Sequence, residues 1–209
     1  MAFEVLQIPS KCEDAQAYIE QYKAFRLFSL KTAPTSFHST YGREIQFADE
    51  VWLGRLTNPN SCTFIARQSS QIVCTLTLVG PLNYEPDDLY PSTHPLEFNG
   101  GFPKAFSHWR FNGMFTLPGA RGQGVAKALI KKAQEYGEAR AAESEKEFIG
   151  SIVTESDNIG AMSLYEKCGF AIIKRQPYIA RGSPVECIIM QYPPPHSKVT
   201  STSLEGNGS

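Results

Sequence analysis

Residues 112–130, NGMFTLPGARGQGVAKALI, form a strand-like run that enters a glycine-rich turn and opens a helix. Glycines at positions 122 and 124 let backbone N–H groups approach a bulky anion, because no Cβ stands in the way. The N-terminus of the helix adds unpaired N–H donors and a partial positive charge. This stretch therefore predicts a site where main-chain groups bind a phosphate or a pyrophosphate.

Three phosphate-binding patterns compete for this turn, and their spacing separates them. The P-loop pattern GxxxxGK[ST] requires Lys and Ser/Thr after its last glycine, but Val-Ala follows Gly124. The dinucleotide pattern GxGxxG/A requires Gly or Ala where Lys127 stands, and it belongs in an opening βαβ unit rather than in mid-chain. The third pattern, [RQ]xxGx[GA], is matched in full by residues 121–126, RGQGVA.

A second chemical pattern lies in residues 158–170, NIGAMSLYEKCGF. Asn158 is a favourable helix N-cap, and Gly169 is a natural left-handed residue after the helix end. Tyr165 lies seven residues after Asn158, two helical turns on, so both side chains share one face. The segment predicts a short helix over residues 158–168.

Together the two segments resemble the GNAT superfamily of N-acetyltransferases, which binds acetyl-coenzyme A through the [RQ]xxGx[GA] motif. Pro118 precedes that motif, and residues 158–170 are similar to the family signature NxxAxxLYEKxGF, with Cys168 where Leu is usual. Residues 34–41 (PTSFHSTY) and 52–56 (WLGRL) resemble the small-molecule branch of the family. The resemblance spans about residues 3 to 192.

The resemblance implies a cofactor-binding set for acetyl-CoA. Main-chain groups of Met114, Phe115 and Thr116 would pair with the pantetheine amides, and Asn158 would add a hydrogen bond to the same arm. The turn and the first helical turn would hold the pyrophosphate through Arg121, Gly122, Gln123, Gly124, Val125, Ala126 and Lys127. Structural roles stay open for the side chains: packing at the turn for Arg121, an ordinary solvated lysine for Lys127, and capping alone for Asn158.

For catalysis, the resemblance implies that Tyr165 donates a proton to the departing thiolate and that strand N–H groups near Phe115 steady the oxyanion. A core tyrosine is the alternative role for Tyr165. Many relatives carry a glutamate as base on a central strand, but the expected position on the fifth strand is Val153. Four other side chains remain candidates beside a chain of waters, and no base is assigned: Glu155, Glu44, His38 and His108.

Three segments would border the acceptor pocket by the same resemblance: residues 34–44, the long loop over residues 80–107, and the pair 177–178. Acidic side chains in the long loop would attract a cationic amine or would serve solubility alone: Glu85, Asp87, Asp88 and Glu97. Tyr178 keeps a peptide α-amino group open as the acceptor, because some peptide acetyltransferases carry tyrosines between their last two strands.

The elements that must position these residues follow from the residue pattern, and the resemblance implies that they form an α+β fold of α/β/α layers. Alternating or apolar runs predict strands at residues 3–8, 62–68, 71–79, 109–117, 148–154, 170–175 and 185–192. Amphipathic periods predict helices at residues 10–31, 48–56, 124–142 and 158–168. The resemblance implies that these strands form the GNAT fold, a mixed, mostly antiparallel twisted sheet of about seven strands with about four helices.

Two of these helices carry detailed expectations. Ser10 would cap the first helix, with Glu13 completing a capping box. Its buried stripe would consist of Ala15, Tyr18, Ile19, Tyr22, Phe25 and Phe28. The second helix would bury Val51, Trp52 and Leu56.

Composition bounds the function classes. The chain has 209 residues, 42% of them hydrophobic, and a net charge of −1, which favours one compact domain and argues against a nucleic-acid binder. The resemblance implies that residues 1–192 are a single N-acetyltransferase domain. Residues 193–209 predict a disordered tail. No apolar run suits a membrane span or a secretory signal. Five scattered cysteines favour reduced thiols in the cytoplasm over a metal site.

The resulting prediction is an acetyl-CoA-dependent N-acetyltransferase that acts directly on a primary amine of a small molecule, without a metal. A peptide N-α-acetyltransferase is the alternative within the family. A non-catalytic acyl-CoA-binding module is the alternative outside catalysis, and a nucleotide-dependent enzyme would bind ATP or NAD instead. The resemblance is also compatible with a homodimer.

Overall fold

The computed structural model describes residues 2–37, 39–82, 105–180 and 183–193. Within them, seven strands form one sheet: β1 (Glu4–Gln7), β2 (Ser61–Gln68), β3 (Gln71–Val79), β4 (Phe106–Thr116), β5 (Glu147–Glu155), β6 (Ala171–Ala180) and β7 (Ser183–Tyr192). Their order is β1-β2-β3-β4-β5-β7-β6. The β4–β5 pair is parallel and the other pairs are antiparallel, which confirms the predicted mixed sheet.

The helices lie on both faces of this sheet. They are α1 (Cys12–Gln16), α2 (Ile19–Thr32), α3 (Tyr41–Glu44), α4 (Asp49–Thr57), α5 (Val125–Ala142) and α6 (Ile159–Glu166), with short 3-10 turns at Pro34–Ser36 and Pro118–Ala120. One core cluster joins α1, α2 and α4 to the first face, where Trp52 is fully buried. The other joins α5 and α6 to the second face around Leu129 and Ile130. The alternating apolar residues of β2 and β3 feed both clusters, so the predicted three layers are present.

The first predicted helix is wrong in its start and its continuity. Two helices, α1 and α2, replace it, and Lys11 rather than Ser10 is the N-cap, with no side-chain cap bond. The Ala15 N–H donates to the Lys11 carbonyl, so Ser10 lies one residue too early for its hydroxyl to reach the free N–H groups of the first turn.

Two residues predicted to be buried are exposed: Phe28 by 47% and Val51 by 45%. On α2 the buried line runs through Tyr22 and Ser29, because seven residues make two turns and bring the chain back to the same face. Phe28 stands one position before that line. On α4, Val51 is turned by about 100° from the buried Trp52 for the same reason.

The feature that positions the site is the separation of β4 from β5. Parallel pairing runs from Phe106↔Glu147 to Arg110↔Ser151. Beyond that point β4 stays on β3 and β5 stays on β7, so a crevice opens between their ends. A β-bulge lies at the same place, because β4 advances three residues where β3 advances two, with Gly113 at φ +64°.

Candidate active site

A crevice of about 1830 Å³ occupies the opening between β4 and β5. On one side it is lined by the end of β4, the glycine turn, the start of α5 and the exposed face of α6. On the other side it is lined by α2, α3 and the segment between them. We call the first part the cofactor half and the second part the acceptor half.

The edge of β4 supplies main-chain groups to the cofactor half. The Leu117 N–H donates to the Val73 carbonyl at 2.9 Å, so the main-chain groups of Leu117 point towards β3. Because these groups alternate in direction along a strand, those of Phe115 also point towards β3, and those of Met114 and Thr116 point into the crevice. Of the predicted strand residues, the structure brings Met114 and Thr116 to the crevice through their main chain.

Phe115 reaches the crevice through its ring instead. The ring lies 5.9 Å from that of Phe25 and 6.2 Å from that of Phe37, between centroids. Its main-chain groups are directed into the sheet, so the crevice-facing main-chain groups near Phe115 belong to its neighbours Met114 and Thr116.

The glycine turn has the conformation that its sequence requires. Gly122 and Gly124 adopt φ values of +75° and +79°, which L side chains rarely adopt. A Cβ at either position would meet nothing within 4 Å, so the constraint is the backbone conformation rather than lack of space. The open space in front of both glycines fits a bulky anion.

The start of α5 faces this open space. Gly124 is the N-cap, and the first helical hydrogen bond runs from the Ala128 N–H to the Gly124 carbonyl at 3.0 Å. The N–H groups of Val125, Ala126 and Lys127 therefore precede the helical ladder, and all three residues line the crevice. These unpaired donors and the helix dipole suit a pyrophosphate.

Two predicted binding side chains brace the turn. Gln123 donates from Nε2 to the Gly119 carbonyl at 2.8 Å and lies outside the lining of the crevice. Arg121 donates from Nε to the Thr116 carbonyl at 3.2 Å, with its guanidinium 5.8 Å from the Phe115 ring centroid. The Arg121 contacts favour the packing role that the sequence left open for this residue, and the Gln123 side chain braces the turn as well. Lys127 is exposed at the edge of the crevice.

The helix α6 brings Asn158 and Tyr165 to the same crevice. The Asn158 side chain accepts from the Ala161 N–H at 3.2 Å, which confirms the predicted N-cap. The Tyr165 ring is buried, with its centroid 6.1 Å from that of Phe170. Burial, and then the nearby thiols of Cys74 and Cys168, raise the pKa of Tyr165 to about 12. The hydroxyl therefore keeps its proton at neutral pH.

The structure separates the candidate bases. Desolvation would raise the pKa of Glu44, but hydrogen bonds from two arginines outweigh it and lower the pKa to about 2. The carboxylate therefore binds a proton only weakly and is a poor general base. His108 is buried with Nε2 2.6 Å from the Ser151 hydroxyl, outside the crevice lining. Glu155 lines the crevice beside Val153 at the end of β5. His38 lies outside the described residues.

The acceptor half contains a cluster that the sequence patterns did not reveal. Arg26 donates from Nε and Nη2 to the two carboxylate oxygens of Glu44 at 3.1 and 2.9 Å, and Arg55 donates from Nη1 at 2.8 Å. These three side chains, here the arginine–glutamate triad, belong to α2, α3 and α4. No local spacing links residues 18 and 11 positions apart, and α3 itself was not predicted.

Some predicted acceptor features fall outside the described part of the chain. These are most of the long loop with Glu85, Asp87, Asp88 and Glu97, and the side chain of Tyr178. The predicted tail after residue 193 also lies outside the described residues. Within the described residues, no three His, Cys, Asp or Glu side chains lie close enough to hold a metal ion. None of the described helices is both long and apolar enough to cross a membrane.

Comparison with known proteins gives one family and one fold. The sequence profile of the acetyltransferase (GNAT) family matches residues 24–170. No match is found among the curated proteins. The structure of Arabidopsis thaliana NAA60 in complex with acetyl-CoA is similar, with a TM-score of 0.60, 14% identity, and coverage of 91% of this chain and 98% of that chain.

Two further structures share the fold with different substrates in their names. A ribosomal-protein-alanine N-acetyltransferase from Brucella melitensis has a TM-score of 0.59 at 14% identity, with coverage of 90% of this chain and 98% of that chain. A spermidine N-acetyltransferase chimera from Vibrio cholerae and hSSAT has a TM-score of 0.58 at 13% identity, with coverage of 90% and 93%. At these identities the likeness shows the fold.

Proposed function

The chain belongs to the acetyltransferase (GNAT) family, and we propose that it transfers an acetyl group from acetyl-CoA directly to a primary amine of a small molecule. One observation carries this proposal. The left-handed glycines at 122 and 124, together with the free N–H groups of the first turn of α5, face the crevice that opens between β4 and β5. The family match and this anion-binding geometry lie in the same residues.

Acetyl-CoA supplies an activated acetyl thioester when it is bound. The N–H groups from Gly122 to Lys127 hold its pyrophosphate, because they have no partners in the helix. The main-chain groups of Met114 and Thr116 bind the pantetheine as a neighbouring strand would. The Thr116 carbonyl already accepts from Arg121, and the Thr116 N–H donates to the pantetheine. Asn158 orients the start of α6 and so places Tyr165.

Tyr165 moves the proton that leaves with the thiol. The hydroxyl is protonated at neutral pH, so a proton is available for the departing sulfur. Main-chain N–H groups at the bulge near Met114 stabilise the charge that develops on the carbonyl oxygen. Glu155, which lies in the described lining at the end of β5, takes the proton of the amine, directly or through water.

The small-molecule acceptor and the compartment are parts of the same proposal. The likeness of residues 34–41 and 52–56 to the small-molecule branch supports the acceptor class, and both segments border the acceptor half. All five cysteines are free thiols, which supports the cytoplasm as the site of action. A peptide α-amino group is the competing acceptor, and the acceptor panel below includes it.

The test begins with calorimetric titration of acetyl-CoA, CoA, ATP and NAD. Saturable binding of acetyl-CoA and CoA, without binding of ATP or NAD, is the expected result. A panel of amines and short peptides then follows, with release of free thiol as the readout. If acetyl-CoA binds but no acceptor on the panel causes release of free CoA thiol, the proposed catalytic activity is refuted and the chain is an acyl-CoA-binding module. If ATP or NAD binds and acetyl-CoA does not displace it, the assignment of acetyl-CoA as the ligand of this site is refuted.

A further inference from the structure

The described lining of the crevice is strongly basic. It carries an excess of four positive charges among its ionisable side chains. The basic residues are Arg26, Arg43, Arg55, Arg110, Arg121, Lys127 and Lys167, and the acidic residues are Glu44, Glu155 and Asp157. A polyanionic cofactor accounts for the basic residues of the cofactor half. It does not account for those of the acceptor half, where Glu44 is the acidic member.

The arginine–glutamate triad holds a fixed positive charge in that half. Glu44 is fully buried, with a side chain 1% exposed, and its single negative charge is shared by two guanidinium groups. The triad therefore has a net charge of +1. Each guanidinium has five N–H donors, and the bonds to Glu44 use two from Arg26 and one from Arg55. Donors on both arginines remain for a ligand.

Aromatic rings hold these guanidinium groups in place. The Arg26 Cζ lies 4.5 Å from the Phe37 ring centroid, and the Arg55 Cζ lies 4.9 Å from that of Phe47 and 5.0 Å from that of Trp52. The side chains of Arg26 and Arg55 are 15% and 34% exposed, so both guanidinium groups are partly desolvated, and both residues line the crevice. Such ordered, planar forks recognise carboxylate or phosphate groups with two parallel hydrogen bonds.

The triad also lies within reach of the strand edge. Phe37, against which Arg26 stacks, has its ring centroid 6.2 Å from that of Phe115. Phe115 lies between Met114 and Thr116, whose main-chain groups face the crevice. Two neighbouring rings, those of Phe37 and Phe115, therefore connect the positive charge to the strand edge where an acceptor amine must arrive.

We propose that the acceptor amine carries an anionic group, a carboxylate or a phosphate, which binds the guanidinium groups of Arg26 and Arg55 while the amine points towards the β4 edge. This inference rests on the proposed acetyltransferase function and narrows its substrate class. It disfavours polycations, which the described part of the lining repels, and so departs from the cationic amine that the acidic residues of the long loop predicted.

The test compares acceptors that differ in one anionic group. The carboxylate arm uses glycine, 4-aminobutyrate and 6-aminohexanoate against their amides, and the phosphate arm uses glucosamine 6-phosphate against glucosamine. Spermidine represents the polycations. The measured quantities are kcat/KM from thiol release and, independently, the calorimetric affinity of each acceptor for the CoA-loaded protein. We expect at least one acid or phosphate to be preferred about tenfold or more over its neutral counterpart.

Three variants assign that preference to the triad. Arg55→Gln leaves one positive and one negative charge, so the tenfold preference should fall towards unity while the affinity for acetyl-CoA is retained. Arg55→Lys restores the charge and should restore part of the preference. Arg140→Gln is the matched control, because Arg140 is exposed on α5 and pairs with Glu143 outside the crevice.

Equal treatment of charged and neutral acceptors, a preference for spermidine, or an unchanged preference in Arg55→Gln would each overturn the inference. The proposed function fails differently. If no acceptor releases thiol, the acetyltransferase is refuted, and the calorimetric arm still decides whether the triad binds anions. Binding of the acids in preference to the amides would uphold the anion site without turnover.

Discussion

The two halves of the crevice are built in opposite ways. The cofactor half uses main-chain groups from contiguous stretches, with Met114 and Thr116 on β4 and the turn from Gly122 to Lys127. The acceptor half uses side chains, Arg26, Glu44 and Arg55, that come from three separate helices. One half therefore depends on backbone conformation and the other on buried charge, and each should fail without disabling the other.

The largest expected effect is on the cofactor half. In Gly124→Glu, a side chain enters a left-handed position and a negative charge enters the anion site, so we expect the affinity for acetyl-CoA to fall by about 1000-fold. Calorimetric titration measures the loss, and thermal unfolding shows whether the fold remains.

The matched control is Gly54→Glu. Gly54 is an exposed residue of α4 with ordinary helical backbone, and an added Cβ there meets nothing within 4 Å. Its affinity for acetyl-CoA should equal that of the wild type. If Gly124→Glu binds acetyl-CoA as tightly as Gly54→Glu does, the turn does not hold the pyrophosphate and the contrast between the halves disappears.

The next effect concerns the acceptor half. Glu44→Gln leaves two partly buried guanidinium groups without their counter-charge, and we expect the free energy of unfolding to fall by about 3 kcal/mol at pH 7. Urea denaturation measures this change. Affinity for acetyl-CoA should persist at a temperature where the variant is folded. Asp49→Asn, which removes the exposed ion pair with Lys23, is the control and should change stability little.

The same carboxylate predicts how this difference depends on pH. The pKa of Glu44 is lowered from 4.5 to about 2 in the folded protein, so its charge stabilises the fold above pH 4.5. This stabilisation is lost as the pH falls through the folded pKa. The gap in unfolding free energy between wild type and Glu44→Gln should therefore be full at neutral pH and narrow towards pH 2. A gap that stays constant would show that the charge of Glu44 is not what stabilises the fold.

Tyr165 belongs to the cofactor half but is proposed to act on the departing thiol, so its removal tests chemistry rather than binding. Tyr165→Phe loses the proton donor, and we expect kcat to fall by about 100-fold with an unchanged affinity for acetyl-CoA. Steady-state thiol release and calorimetry measure the two quantities. Tyr192→Phe is the control, because that hydroxyl donates to the exposed Glu138 at 2.9 Å, outside the crevice lining.

Tyr165 also makes a prediction about pH. Its pKa of about 12 implies that kcat should not fall through loss of this proton at any pH below about 11. Full activity in Tyr165→Phe would make this side chain a core tyrosine and would leave the thiolate to be protonated by another donor or by water.

The contrast between the halves also explains what the sequence could predict. Residue type and local spacing predict the backbone roles of four residues: Gly122, Gly124, Asn158 and Gly169. The three glycines have the expected left-handed conformation, and Asn158 caps its helix as expected. The triad has no such signature, because arginines and glutamates on helix surfaces are common and their meeting depends on how α2, α3 and α4 pack.

The errors in the helices have the same origin. Apolar residue types predicted that Phe28 and Val51 are buried, but burial on a helix is decided by angle, and both lie off the line set by the packed neighbours Ser29 and Trp52. Phe115 shows the limit in the strand: its position beside the site was predictable, whereas the direction of its main chain depends on the pairing register with β3.

The smallest effect sharpens the comparison most. Lys127 is exposed at the crevice edge, so its charge is well screened by solvent. Lys127→Gln should therefore lower the affinity for acetyl-CoA by only about 2- to 5-fold. Calorimetry at low and high salt measures this, with Lys131→Gln, exposed one turn further along α5, as the control. The difference between the two variants should shrink as salt is added, because an exposed charge is screened while the main-chain donors remain. A loss comparable to that of Gly124→Glu would contradict this, since the affinity of the cofactor half would then reside in a side chain, as we infer for the acceptor half.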